Sequence, residues 1–185
     1  MALVDVQTKL VGLLGNPLGH SFSPEMHNRA FNSLGLNFFY LPIEVQPDDL
    51  ADVIRGITKM NFAGYNVTIP YKIQVMEHLD HIDDLAKTIG AVNTVTIENG
   101  KTTGHNTDGL GYLKSLETEA AISTEDKTCF IIGCGGAARA IAMTLAAKKV
   151  GKIFLTNRTE QKAHTLSVEI NTAFSFCSEV VPLQS

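Results

Sequence analysis

The chain has 185 residues, 44% of them apolar and 18% charged, enough to bury a substantial core in one large domain or two small ones. A formal net charge of -4 argues against a nucleic-acid surface, which needs clustered Lys and Arg, but still admits a small anion at a local positive patch. Three cysteines without C-x-x-C spacing point to neither a disulfide framework nor a zinc site, and Cys129, Cys134 and Cys177 are expected as buried, reduced thiols.

The N-terminus "MALVDVQTKL" carries acid and lacks an apolar core, so no secretory signal is expected. No run of 18 apolar residues exists, so no membrane span is expected, and the chain reads as cytoplasmic. "KLVGLLG" (9–15) reads as a buried strand. In the loop that follows, Ser23 is expected to cap a helix whose first residue is Pro24. Met26, Ala30, Phe31 and Leu34 then share one face of that helix as core, and Gly35 stops it. "NFFYLPI" (37–43) is a second strand. "QPDDLADVIRGI" (46–57) is a helix with Asp48 and Asp49 where the dipole favours acids. "FAGYNV" (62–67) is a third strand, and Pro70 is expected to open a helix over "PYKIQVMEHL". Asn99-Gly100 marks a tight hairpin turn within "VNTVTIENGKTTGHN". A helix follows from Thr107 to about Thr118, with Asp108 as a candidate cap.

The polar stretch "LETEAAISTEDK" suggests a domain boundary near residues 117–127. Beyond it the alternation restarts: strand "KTCFIIG", helix "GAARAIAMTLAAKK", strand "KIFLTN", helix "EQKAHTLSVEIN", and a strand beginning at "SEVVPL". Strands alternating with helices imply parallel sheet in both halves. The expected fold is α/β, with residues 1–117 as a first domain built on a mainly parallel sheet and 118–185 as an incomplete Rossmann-type domain. With so few strands in the second domain, Val180 and Val181 are expected either to lie exposed or to pair with a partner.

"IIGCGGAARA" gives Gly133-x-Gly135-x-x-Ala138 directly after a strand and at the start of a helix. Gly133 permits a tight turn, Gly135 lets the backbone approach a pyrophosphate, and the helix start offers unbonded N–H donors. After the next strand an NAD site would place an acid for the ribose hydroxyls. This chain instead has Asn157, Arg158 and Thr159, and the planar guanidinium of Arg158 suits a 2′-phosphate. The reading is NADP. His20 and His27 lie seven apart, outside any common zinc spacing, and no metal is expected.

Three segments of the first half, "HSFSPEMHN" (20–28), "NVTIPYK" (66–72), and "GAVNTV" with "GHNTDG" (90–95 and 104–109), precede "GCGGAARA" and "NRT". In this order they resemble the shikimate dehydrogenase family, over essentially the whole chain. The resemblance implies NADP-dependent reduction of 3-dehydroshikimate to shikimate in aromatic amino acid biosynthesis. It implies a substrate-carboxylate role for Ser21 and Ser23, substrate contacts for Thr68 and Asn93, and catalytic roles for Lys72 and Asp108. On the cofactor side it implies a glycine loop at Gly133, Gly135, Gly136 and Ala137 and a phosphate clamp at Asn157, Arg158 and Thr159. Family members continue past residue 185, so the resemblance implies a C-terminally truncated chain. The implied partners are the small-molecule substrate and cofactor, with no nucleic acid or membrane, in a monomer or homodimer.

The residues agree with that chemistry. Reducing a ketone needs a hydride donor and a proton for the oxygen, and a Lys with an Asp can hold and pass that proton. Hydroxyl and amide side chains suit a polyhydroxylated carboxylic acid. Two alternatives stand beside this reading: an NAD-dependent quinate/shikimate dehydrogenase, and a truncated form that binds such ligands without hydride transfer.

Overall fold

In the computed structural model, which describes residues 4–175 and 177–183, the chain forms two compact units. One comprises Met1–Ala86 with Val92–His105, the other Lys87–Ala91 with Asn106–Ser185. The reading of the N-terminus rests partly on residues 1–3, outside the described residues.

The first unit is built on a six-stranded sheet in the order β2-β1-β3-β5-β6-β4. Its strands are β1 (Lys9–Gly15), β2 (Phe38–Glu44), β3 (Phe62–Val67), β4 (His81–Ile82), β5 (Thr94–Glu98) and β6 (Lys101–His105). β1 pairs in parallel with β2 and β3, and β4 with β6, while β5 runs antiparallel to both β3 and β6. The hairpin is where the Asn-Gly pair places it: Glu98 faces Lys101, and Asn99 and Gly100 both take positive φ.

Successive residues of β1 point to opposite faces of the sheet. Leu14 joins the larger core with Val45, Tyr65 and Val67, against Leu50, Ile54 and Ile57 of α2 (Leu50–Lys59). Leu13 joins a smaller cluster with Leu18 and Tyr40, beside α1 (Ser23–Ser33). Fully burying a side chain such as Leu14 contributes about 1.5–3 kcal/mol.

Two expected helices differ from expectation. α1 buries none of its residues: Met26 is 59% exposed and Phe31 is half-buried, and Leu34, just past its end, is 70% exposed. It docks by polar and stacking contacts instead. The Asn28 amide donates to the Tyr40 carbonyl and accepts the Tyr40 N–H, both at 2.8 Å. The His27 ring stacks on Tyr40 at 4.4 Å, and Phe31 meets Phe38 at 5.4 Å. β2 is an edge strand, and Asn28 satisfies backbone groups that its open side would leave unpaired.

The segment from Pro70 does not open an α-helix. It forms turns followed by a 3-10 helix at Gln74–His78. The Lys72 carbonyl accepts the Val92 N–H at 2.8 Å rather than continuing a helical ladder, while the Met76 N–H returns to the Ile73 carbonyl. Tyr71 and Val75 are fully buried, and the Tyr71 hydroxyl donates to the Val45 carbonyl, so core anchoring sets the path here.

In the second unit, β7 (Thr128–Ile132), β8 (Lys152–Thr156) and β9 (Ser178–Val180) form a parallel sheet in that order. α5 (Gly136–Ala147) and α6 (Glu160–Phe174) connect them, the βαβ arrangement expected from the alternation. Val180 pairs with Leu155, and the Val181 N–H donates to the Leu155 carbonyl, so the last strand is held within the chain. α4 (Asp108–Glu119) packs on α5, where Gly109 permits the approach: a Cβ at that position would lie 2.0 Å from Thr144 Oγ1. The three thiols are free and half-buried rather than buried, and partial burial pushes each of them up from its ordinary pKa. Among the described residues no helix is long and apolar enough to cross a membrane, and no His, Cys, Asp and Glu cluster suits a metal.

Candidate active site

The order β2-β1-β3 makes the space between β1 and β3 a topological switch point. From β1 the chain crosses to β2 on one side, and from β2 it returns to β3 on the other. Open α/β sheets bind ligands at such points, beyond the carboxyl ends of the strands. Here the loops after β1 and β3 enclose a cavity of about 300 Å³, where Ser21, Ser23, Thr68 and His20 stand over the apolar floor of Leu13 and Leu18.

These loops are tightly held. The Asn16 N–H donates to the Ile69 carbonyl, the Asn16 amide to the Val45 carbonyl, and the Leu18 N–H to the Glu44 carboxylate at 2.9 Å. Gly15 allows Thr68 to approach, since a Cβ there would lie 2.4 Å from Thr68 Cγ2.

Ser23 is not the cap of α1. The capping position is Phe22, and Ser23 and Pro24 are the first two helical residues. It is Ser21 that supports the helix entry, its hydroxyl oxygen accepting the Ser23 N–H at 3.3 Å. As an acceptor there, the Ser21 hydroxyl keeps its hydrogen for a second partner. The fixed φ of Pro24 and the Ser21 hydroxyl therefore do what a capping Ser23 side chain was expected to do.

Two further residues arrive at the same end of the sheet. The Val67 N–H donates to the Asn93 carbonyl at 2.9 Å, one residue before Thr68. The Asn93 N–H donates to the His105 carbonyl, and its carboxamide oxygen accepts the Thr94 hydroxyl at 3.0 Å. Asn93 is only 9% exposed, so its amide is held by packing. Lys72, half-buried in its turn, is bound through its carbonyl to Val92, the neighbour of Asn93. Thr68, Lys72 and Asn93 thus lie on segments that hydrogen-bond to one another. Asn66, also in this network, spans Tyr40, Asn93 and Thr94 with its side chain and acts as a strut. Burial pushes the Tyr40 phenol up to about 12, and its hydroxyl donates to Asn66. Burial also lowers the pKa of His27, consistent with a neutral stacking ring.

In the second unit Asp108 is the first residue of α4 rather than its cap, which is Thr107. The Asp108 N–H donates to the Asn106 amide oxygen at 3.2 Å, and the Asn106 amide donates to the Ala91 carbonyl at 3.0 Å. Asn106 is 3% exposed and was not singled out from the sequence. Its place two residues before a helix start, where Asn commonly closes a turn, was the available signal.

The glycine loop sits between β7 and α5. Gly133 has φ of +99°, which only glycine adopts readily, and Gly136 is the first residue of α5. A Cβ at Gly133, Gly135 or Gly136 would meet no protein atom within 4 Å. Packing therefore does not require glycine at these positions: backbone conformation requires it at Gly133, and open space at Gly135 and Gly136 leaves room for a ligand. Asn157 connects this loop to the one after β8: its amide oxygen accepts the Cys134 N–H at 3.1 Å, and its nitrogen donates to the Thr159 carbonyl at 2.8 Å. Arg158 and Thr159 are exposed beside it, and Ala137 lies exposed in the first turn of α5. A cavity of about 220 Å³ next to the loop is lined by Cys134, Arg139, Gln161 and Lys162, among others. The Gly133 N–H is bonded to the Thr156 carbonyl at 2.7 Å, so it is the N–H groups at the start of α5, with nearby cations, that fit the pyrophosphate and phosphate of a dinucleotide.

Comparison with known proteins agrees with both halves. A family model described as the shikimate dehydrogenase substrate binding domain matches residues 13–95, and one described as shikimate / quinate 5-dehydrogenase matches residues 115–181. The shikimate dehydrogenase (NADP(+)) of Halothermothrix orenii is 51% identical over 164 residues, covering 89% of this chain and 57% of that protein. A crystal structure of a shikimate dehydrogenase in complex with NADP+ superposes with a TM-score of 0.90 at 44% identity, covering 98% of this chain and 64% of the other. That of Listeria monocytogenes, in complex with shikimate and NAD, has a TM-score of 0.93 at 38% identity with the same coverage. The chain thus spans about 60% of the length of the relatives it matches.

Proposed function

Since the chain belongs to the shikimate dehydrogenase family, we propose that it serves the NADP-dependent reduction of 3-dehydroshikimate to shikimate. The observation that carries this reading is the cavity at the β1–β3 switch point, where Ser21, Ser23 and Thr68 present hydroxyls together. In this reading Ser21 and Ser23 hold the substrate carboxylate at the start of α1, where the helix dipole assists them. Thr68 and Asn93 bind ring hydroxyls, and such a site discriminates against analogues that lack them.

The glycine loop of Gly133, Gly135, Gly136 and Ala137 would hold the pyrophosphate, Gly133 by making the turn, since its N–H is bonded to the Thr156 carbonyl, and the others through backbone N–H groups. Arg158 and Thr159 would hold the 2′-phosphate, with Asn157 fixing the loop that carries them. The absence of an acid at positions 157–159 favours NADP over NAD. When bound, the dinucleotide supplies the hydride that reduces the carbonyl carbon. Lys72 and Asp108 are assigned to the proton. The Lys72 ammonium stabilises negative charge growing on the carbonyl oxygen and delivers a proton there, and Asp108 shares in holding and replacing that proton.

Residues 1–117 are proposed as the substrate-binding and catalytic part and 118–185 as the dinucleotide-binding part, in keeping with the spans matched by the two family models. The three free thiols favour a reducing compartment, and we place the protein in the cytoplasm, as a monomer or homodimer acting on small molecules alone.

The test is shikimate oxidation by the protein with NADP, with NAD as the comparison and calorimetry with shikimate on the same chain. Lys72→Ala is expected to lower turnover by about 10²–10⁴-fold while shikimate still binds. Unchanged turnover would remove Lys72 from the mechanism. A clear preference for NAD would overturn the assignment of Arg158, and shikimate binding without turnover would make this chain a binding form.

A further inference from the structure

A second polar cavity, of about 410 Å³, opens at the other end of the first unit's sheet. Three separate parts of the fold line it: the last turns of α2 with Arg55 and Lys59, the stretch from His78 to Asp80, and the start of β6 with Lys101 and Thr102. α2 ends where β3 begins, and the β5–β6 turn lies at the end opposite to Asn93, so this cavity is remote from the serine-lined one.

Its charge runs against that of the chain. The whole sequence holds 15 Lys and Arg against 19 Asp and Glu, whereas this lining holds Arg55, Lys59 and Lys101, with His78, against Asp80 alone. Asp80 is already engaged. One carboxylate oxygen accepts Lys101 Nζ at 2.7 Å, and the other accepts the Thr102 N–H and hydroxyl at 2.9 and 3.0 Å. These contacts hold the Asp80 carboxyl well below the ordinary range, the Lys101 bond being the largest cause. Arg55 pairs with Asp52 one turn back on α2, and both side chains are largely exposed, so that pair is readily exchanged for a ligand. Neither Lys59 nor His78 has an ion-pair partner among the described residues.

We propose that this cavity binds a small multiply charged anion of the phosphate class, with Lys59, Arg55 and His78 as its principal donors. Arg55 and Lys59 lie one turn apart on α2, so a dianion can accept charge-assisted hydrogen bonds from both. The cavity exceeds what inorganic phosphate needs, which leaves room for a phosphate monoester. Exposure on one side makes the binding sensitive to salt.

The experiment is a ¹H–¹⁵N NMR titration of the protein with inorganic phosphate, and then with a simple phosphate monoester, at constant ionic strength. Saturable shifts are expected at residues 55–59, 78–80 and 100–102. Lys59→Ala should weaken binding by roughly fivefold or more, and His78→Ala should weaken it less. Lys127→Ala, in the other unit, should leave it unchanged. Raising NaCl to about 0.15 M should also weaken it. A larger response to the monoester would indicate that the organic part is recognised, and an equal response that phosphate alone is. The proposal is overturned if shifts fail to saturate, if they appear only at the glycine loop or around Ser21, or if Lys59→Ala leaves them undiminished.

Discussion

The two units use glycine in opposite ways. In the first unit Gly15 and Gly64 are required by the protein itself: a Cβ at Gly64 would lie 2.3 Å from the Val95 carbonyl oxygen, and one at Gly15 would run into Thr68. In the second unit Gly133, Gly135 and Gly136 face open space. Around Gly15 the hydroxyls of the candidate substrate cavity are held by close packing. Around Gly135 and Gly136 the backbone of the candidate cofactor loop is left uncovered. A glycine that is costly to replace for folding differs from one that is costly to replace for binding, and neighbouring atoms tell the two apart.

That contrast can be broken by experiment. Gly64→Ala should destabilise the protein by about 3 kcal/mol, because the added methyl meets backbone on the neighbouring strand rather than a movable side chain. A shift in the denaturant midpoint would register it. Gly135→Ala is the opposite case. Its φ of -82° and ψ of -178° suit any residue, so stability should stay within about 0.5 kcal/mol. NADP binding measured by calorimetry should nevertheless weaken roughly tenfold, as the methyl occupies the path of a phosphate. If the two alanine variants unfold alike, the distinction drawn from their surroundings is wrong. Ser21→Ala should have the smallest effect. Removing a hydroxyl that also supports the entry to α1 should weaken shikimate binding by about 1 kcal/mol, or roughly fivefold, with the circular dichroism spectrum unchanged. Loss of folding instead would make Ser21 a purely structural residue.

Much of the fold was legible because local signals agreed with one another. β1 and β3 lie where the apolar runs place them, the Asn99-Gly100 turn is the expected hairpin, and the strand–glycine–helix unit from Thr128 is intact. The misreadings share a cause. Met26 and Leu34 have the helical spacing of a core face, yet α1 docks through Asn28 and His27, which periodicity passes over. Pro70 reads as a helix start, but Lys72 gives its carbonyl to Val92, some twenty residues away in sequence. Asn106 looks like an ordinary turn residue, and only its distant partner, Ala91, reveals it as a strut.

The sequence by itself determined the alternating α/β order, the glycine loop, the choice of Arg158 over an acid, and the residue types of the candidate site. Each of these depends on a residue and its near neighbours, through preferred φ, helix dipole or charge. Tertiary structure alone decided that Ser21, Ser23 and Thr68 share one cavity, that Ser21 rather than Ser23 supports the helix entry, and that Lys72 lies in a turn. Those outcomes depend on which backbone groups meet across the sheet. A local pattern does not encode such pairings, because every buried N–H and C=O must find a partner wherever the fold brings one.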